Sequence, residues 1–241
     1  MKKNLISLLL LVVVAFGIYF FLRNNNDVEQ VPVVEQKKPI ELCFYKEGNK
    51  TPQGYYDVAW IRMNLLEDKV TGEFRNYPAE KDSKVGTFEG SVGKVDPYMM
   101  ARTADVWWNA MQEGMQTKEQ LKIVFGEGTA NAMFGEMVDR GDGVYIYKDP
   151  NKFSYSMDMN DVACSDLDDR IMVEKYVREN IKTLAPEKPV LGGSWYALAI
   201  RIDPKTKTGT VNYEDGHVQG GATFSYTRIG DKVEISNIIK K

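Results

Sequence analysis

Residues 101–125 read ARTADVWWNAMQEGMQTKEQLKIVF, and the choice between helix and strand there decides the fold. Trp107, Met111 and Met115 stand four apart, the spacing of one helical face, and Thr117-Lys118-Glu119-Gln120 would suit a helix start. Against a helix, Trp107-Trp108 favours strand and Gly114 falls mid-run. Leu121, Ile123 and Phe125 also alternate with Lys122 and Val124. We read the stretch as strands, with helix as the alternative.

Working outward, similar short runs separated by turn residues continue toward both ends. They cover 42–45, then 55–66 and 69–77 on either side of Glu67-Asp68, and 85–92 after the loop at 78–83. Asp142-Gly143 precedes another at 144–147, which Asp149-Pro150-Asn151 ends. Eight such segments between Leu42 and Tyr147 predict a mainly antiparallel β domain over 40–164, an up-and-down barrel or a sandwich.

Past Cys164 the period changes. Leu167, Ile171, Val177, Ile181 and Leu184 mark one helical face, and Pro186 and Pro189 stop the helix. Ser165 with Asp168 resembles a capping box, and Asp166, Asp168 and Asp169 suit the positive end of the helix dipole. Segments 195–202, 210–213, 222–228 and 232–238 then read as a four-stranded antiparallel sheet. The expectation for 165–241 is a small α+β unit with the helix over one sheet face.

Ahead of all this, residues 5–22 are apolar except for Ser7 and Gly17, with Lys2 and Lys3 before them and Arg23 after. As a helix they would span about 27 Å, close to a hydrocarbon core, so 1–22 reads as an uncleaved signal anchor. The run continues through Phe20-Phe21-Leu22, past the small residues where a cleaved signal would end. The basic head keeps the N-terminus in the cytoplasm and puts the rest of the chain outside, as a single-pass membrane protein. Residues 23–39, polar with Pro32 and Pro39, read as a stalk.

That compartment bears on the two cysteines. Cys43 and Cys164 are expected to pair in an oxidising space, closing about 120 residues. The chain holds 31 Lys and Arg against 34 Asp and Glu, and the part beyond the anchor is the more acidic. Neither nucleic acid nor docking through a basic face fits that balance.

No residue set carries a defensible chemistry. His217 is the single histidine, which excludes a multi-histidine metal site, and beside Asp215-Gly216 it reads as a hairpin end. Asp139-Arg140-Gly141-Asp142-Gly143 contains an adhesion tripeptide but has the residues a turn needs. Asp158, Asn160, Asp161, Asp166, Asp168 and Asp169 crowd oxygen ligands without calcium-loop spacing. Met111/Met115 and Met133/Met137 suggest copper only weakly, since such methionines more often fill core. No phosphate loop or nucleophile elbow is present. Catalytic residues, metals and cofactors are therefore assigned to none.

Gly193-Ser194-Trp195-Tyr196 followed by Ala199 resembles the lipocalin signature over about seven residues. In that family the motif opens the first strand of an eight-stranded barrel, and too little chain follows it here for seven more strands. Trp195 is instead read as core of the C-terminal sheet. The expected function is a membrane-anchored, extracytoplasmic, non-enzymatic module that meets an envelope protein or another ligand. Two alternatives stand beside it. One is a carrier or sensor holding a small apolar ligand against Trp60, Phe74, Trp107 and Phe125. The other is an Asp/Glu hydrolase, which needs paired acids in a cleft.

Overall fold

The computed structural model describes residues 37–241 except Gln53, Glu80 and Leu191, and its deciding stretch is a hairpin. β5 (Ala101–Gln112) and β6 (Met115–Gly126) pair antiparallel along their length. Between them Glu113 and Gly114 both take positive φ, +50° and +76°, the two-residue turn whose twist matches paired strands. Along β5, Ala104, Val106, Trp108 and Ala110 are buried while Asp105, Trp107 and Asn109 are not, a period of two. Met111 pairs with Gln116 and Met115 with Gln112, so these methionines lie on opposite faces of the hairpin.

The flanking strands close this hairpin into a barrel. β1 (Ile40–Lys50), β2 (Tyr56–Leu66), β3 (Lys69–Tyr77) and β4 (Lys84–Val92) lead into β5 as a meander. After β6, β7 (Thr129–Phe134) follows, and β10 (Tyr155–Val162) completes the ring between β7 and β1. The eighth strand is thus Tyr155–Val162, not the expected 144–147. Its inward Met157 and Met159 alternate with Asp158 and Asn160, so part of the apparent oxygen cluster is the outer face of a strand. β8 (Met137–Asp139) and β9 (Val144–Tyr147) form a side hairpin. β9 runs parallel to the part of β6 that β7 is too short to reach.

Every barrel strand sends side chains inward, among them Phe44, Ile61, Phe74, Phe88, Trp108, Ile123, Ala132 and Met159. Large and small residues interdigitate as a narrow barrel requires. A Cβ on Gly72 would lie 2.4 Å from Cζ of Phe88, so glycine there makes room for the ring. Trp108 Nε1 donates to the Gly86 carbonyl at 3.2 Å, which satisfies the indole inside the core.

α1 (Cys164–Leu184) follows the barrel at once. It is capped by Ala163 without a side-chain hydrogen bond, so the capping box expected at Ser165 does not form. The helix begins two residues too early for it, at Cys164, which is bound to Cys43 on β1 with Cα atoms 5.2 Å apart. β11 (Tyr196–Asp203), β12 (Thr208–Glu214), β13 (Gln219–Ile229) and β14 (Lys232–Lys240) form the antiparallel sheet in that order. Val173, Val177 and Ile181 of α1 pack on it with Trp195, Tyr213, Phe224 and Tyr226. Trp195 is core, its Nε1 donating to Glu187 O at 2.8 Å, and it lies just before β11 rather than at the start of a barrel. Lys38–Lys241 hold together as one compact unit. The expected anchor, and the stalk as far as residue 36, lie outside the described residues. Among those described, no helix is long and apolar enough to cross a membrane.

Candidate functional site

α1 buries two faces, and that builds the site. While Val173, Val177 and Ile181 face the sheet, Leu167 packs with Cys43 and Trp60 on the outer wall of the barrel, and Ile171 joins them. Barrel, helix and β11 meet around a groove of about 200 Å³. Its walls include Tyr45, Tyr56, Trp60 and Tyr77 from the barrel, Arg170 and Arg178 from α1, and the stretch 198–200 of β11.

The polar groups of this groove are arranged around the open edge of β11, the outermost strand of its sheet. Arg170 Nη1 donates to Ile202 O at 2.6 Å, and Arg178 Nη1 donates to Ala197 O at 3.1 Å. Two helix arginines therefore cover carbonyls that an edge strand would otherwise leave unpaired. The Arg170 guanidinium also lies 4.2 Å from the ring centre of Tyr45, while its Nε is buried without a hydrogen-bond partner. Burial pushes the Tyr45 hydroxyl well above the ordinary phenol range, with the Arg170 charge opposing. It stays a neutral hydrogen-bonding group rather than a base. Arg201 bonds Glu47 at 2.7 Å and lies 5.8 Å from the Tyr56 ring, and Arg75 lies 5.3 Å from Trp60. Glu174 is paired with Arg178 at 2.7 Å. The groove thus presents aromatic faces, phenol hydroxyls, guanidinium groups and the Glu174 carboxylate.

A second polar centre holds the helix to its sheet. Asp169, 2 % exposed, accepts from Lys207 Nζ and Arg228 Nε at 2.5 Å each and from Tyr226 OH at 2.9 Å. Burial works to raise its carboxyl pKa, but these three donors outweigh it and hold the group below the usual carboxylate range.

The four residues expected to line one ligand chamber are divided. Phe74 and Phe125 point into the packed barrel. Trp60 is buried on the outer wall against Leu167 and borders the groove. Trp107 lies on the outer wall too, with the Lys118 ammonium 5.5 Å from its ring.

The remaining sequence features are engaged locally. Asp139 accepts from Gly141 N, Asp142 accepts from Val144 N, and Arg140 bonds Asp142, so the adhesion-like tripeptide is a closed turn. His217 is exposed, and its backbone N–H, with those of Val218 and Val190, is held by Asp215. Glu113 has its carboxyl pKa raised by a hydrogen bond with Asp82, but both are exposed rather than in a cleft. Glu41, Cys43 and Cys164 come close enough to suggest a metal, yet the two sulfurs are bonded to each other.

Sequence reasoning missed Tyr45, Arg170 and Arg178. Their one signal is an arginine at 170 between buried Leu167 and half-buried Ile171, where a solvent-facing residue would have been unremarkable. Compared with protein-family models, with curated proteins and with solved structures, the chain matches none.

Proposed function

We propose that this chain is a membrane-anchored, extracytoplasmic, non-enzymatic interaction module whose groove between barrel, α1 and β11 receives an anchoring side chain of a partner protein. The groove itself carries the reading. At about 200 Å³ it is smaller than the several hundred cubic ångströms that small-molecule sites usually enclose. One or two side chains of a partner fill such a volume, and Tyr, Trp and Arg are the residue types that dominate protein-interface energetics. The packing of Phe74 and Phe125 among the inward side chains of the barrel supports a partner outside rather than a ligand inside.

A photo-crosslinking residue in place of Tyr77 of the full chain, in intact cells, tests this. The expected result is a discrete protein adduct that Arg178→Glu removes, with none from the same probe at the exposed Met115. Adducts of equal yield from both positions would overturn it. Protease added to sealed cells tests the compartment independently, and survival of residues 37–241 there would remove the extracytoplasmic reading.

A further inference from the structure

The strand register gathers the exposed apolar side chains of one barrel end. Ile40 pairs with Leu65 at the start of β1, Leu66 with Lys69, Lys69 with Ser91, and Val92 with Ala104. The β2–β3 turn, the β4–β5 loop and the entry of the chain into β1 therefore share that end. Tyr98 is 96 % exposed there, and Val95, Met99, Met100, Ile40 and Leu66 are exposed with it.

The β4–β5 loop is held by its own hydrogen bonds. Asp96 accepts from the amides of Tyr98 and Met99 at 2.8 and 3.2 Å, and its own N–H donates to Ala101 O at 2.7 Å. Arg102 bonds the carbonyls of Gly93 and Glu67, fixing the loop to the neighbouring turn. An apolar tip presented by an ordered loop needs an apolar partner.

The route of the chain says which partner. Residues 23–39 join this end to the apolar run 5–22, and even fully extended they reach at most ~60 Å. We propose that this end of the barrel faces the bilayer and that the Tyr98-Met99-Met100 tip inserts into the headgroup layer of a lipid membrane. This orientation rests on the membrane-anchored reading above. Tyrosine suits that depth, with its ring in the apolar boundary and its hydroxyl in water. Lys69, Lys94 and Arg102 are balanced around the tip by Asp68, Asp96 and Glu41, so insertion is driven by apolar burial rather than by lipid charge. A short tether raises the local concentration of lipid to the millimolar range, which makes a shallow insertion sufficient.

The test uses the full chain reconstituted into phosphatidylcholine vesicles, with and without phosphatidylglycerol, carrying an environment-sensitive fluorescent residue at 99 or at 155. Tyr155 opens β10 at the opposite barrel end and is also exposed. Lipids brominated along their acyl chains should cut emission from position 99 at least about twofold and leave position 155 unchanged, in both lipid mixtures. Tyr98→Asp should abolish that quenching without altering circular dichroism. Equal quenching at both positions, or none at 99 in a chain that floats with the vesicles, would overturn the orientation alone. Failure to float would remove the anchor reading and the orientation with it. Concentration-dependent self-association abolished by Tyr98→Asp, with no quenching, would assign the tip to a second copy instead.

Discussion

Arg170 stands over the ring of Tyr45, 4.2 Å from its centre, and reaches the carbonyl of Ile202 at 2.6 Å. One side chain from α1 thereby joins barrel wall and sheet edge. Arg170→Ala should lose a partly desolvated cation–π contact and a charge-assisted hydrogen bond, on the order of 2 kcal/mol. Arg170→Lys should recover little of it, because an ammonium cannot stack and reach the carbonyl in the same geometry. Tyr45→Phe keeps the ring and should cost under about 1 kcal/mol. Urea midpoints of the three variants check this, and a Lys variant as stable as the parent would contradict it.

Asp169 sets a pH dependence whose sign follows from its depressed pKa. The folded state holds its proton less tightly than the unfolded chain does, whose Asp titrates near ~3.9. Its contribution is therefore complete above that value and is lost as pH falls through the folded pKa. Asp169→Asn should destabilise the chain at neutral pH and narrow its gap to the parent below about pH 4. Asp169→Ala should cost on the order of 3 kcal/mol, since it leaves Arg228 without its counter-charge. Thermal melts from pH 7 to 3 would show a converging pair, and parallel curves would refute the assignment.

Much of the fold was legible because it rests on period. The alternation in 121–125, the turn residues and the apolar stripe of α1 predicted strands, helix and terminal sheet in the right order. What escaped depends on contacts between elements. Tyr155–Val162 hid as a strand because its outward Ser156, Asp158 and Asn160 are polar and only Met157 and Met159 are buried. Asp169 looked like a dipole residue, and only folding shows Lys207, Tyr226 and Arg228 converging on it. The groove could not be seen because no local pattern says that α1 packs on the outside of β1 and β2 as well as on its own sheet. Trp60 and Trp107 were placed with Phe74 as lining residues by type alone, whereas strand parity puts them on the other wall.

The bond between Cys43 and Cys164 ties the first barrel strand to the first residue of α1 across 121 positions. Constraining so long a loop in the unfolded chain is worth at most about 4–5 kcal/mol. Cys43→Ser with Cys164→Ser should lower the melting temperature markedly while keeping the strand-rich circular dichroism spectrum, because the barrel core does not use the sulfurs. Alkylation followed by mass measurement should add two adducts only after reduction. Two adducts on the unreduced native chain would show that the pair does not form.

Trp107 and Trp108 give a direct test of which way β5 faces. Trp108 is 1 % exposed, lies 4.9 Å from Phe74 and donates to Gly86 O, so Trp108→Ala opens a large cavity in the barrel. That change should cost about 3–5 kcal/mol. Trp107 is partly exposed on the outer wall with Lys118 over its ring. Trp107→Ala should cost about 1 kcal/mol or less, the worth of a half-exposed contact. Equilibrium unfolding in urea distinguishes the two. Losses of equal size would mean that the strand parity, and with it the division of Trp107 from Phe74 and Phe125, is wrong.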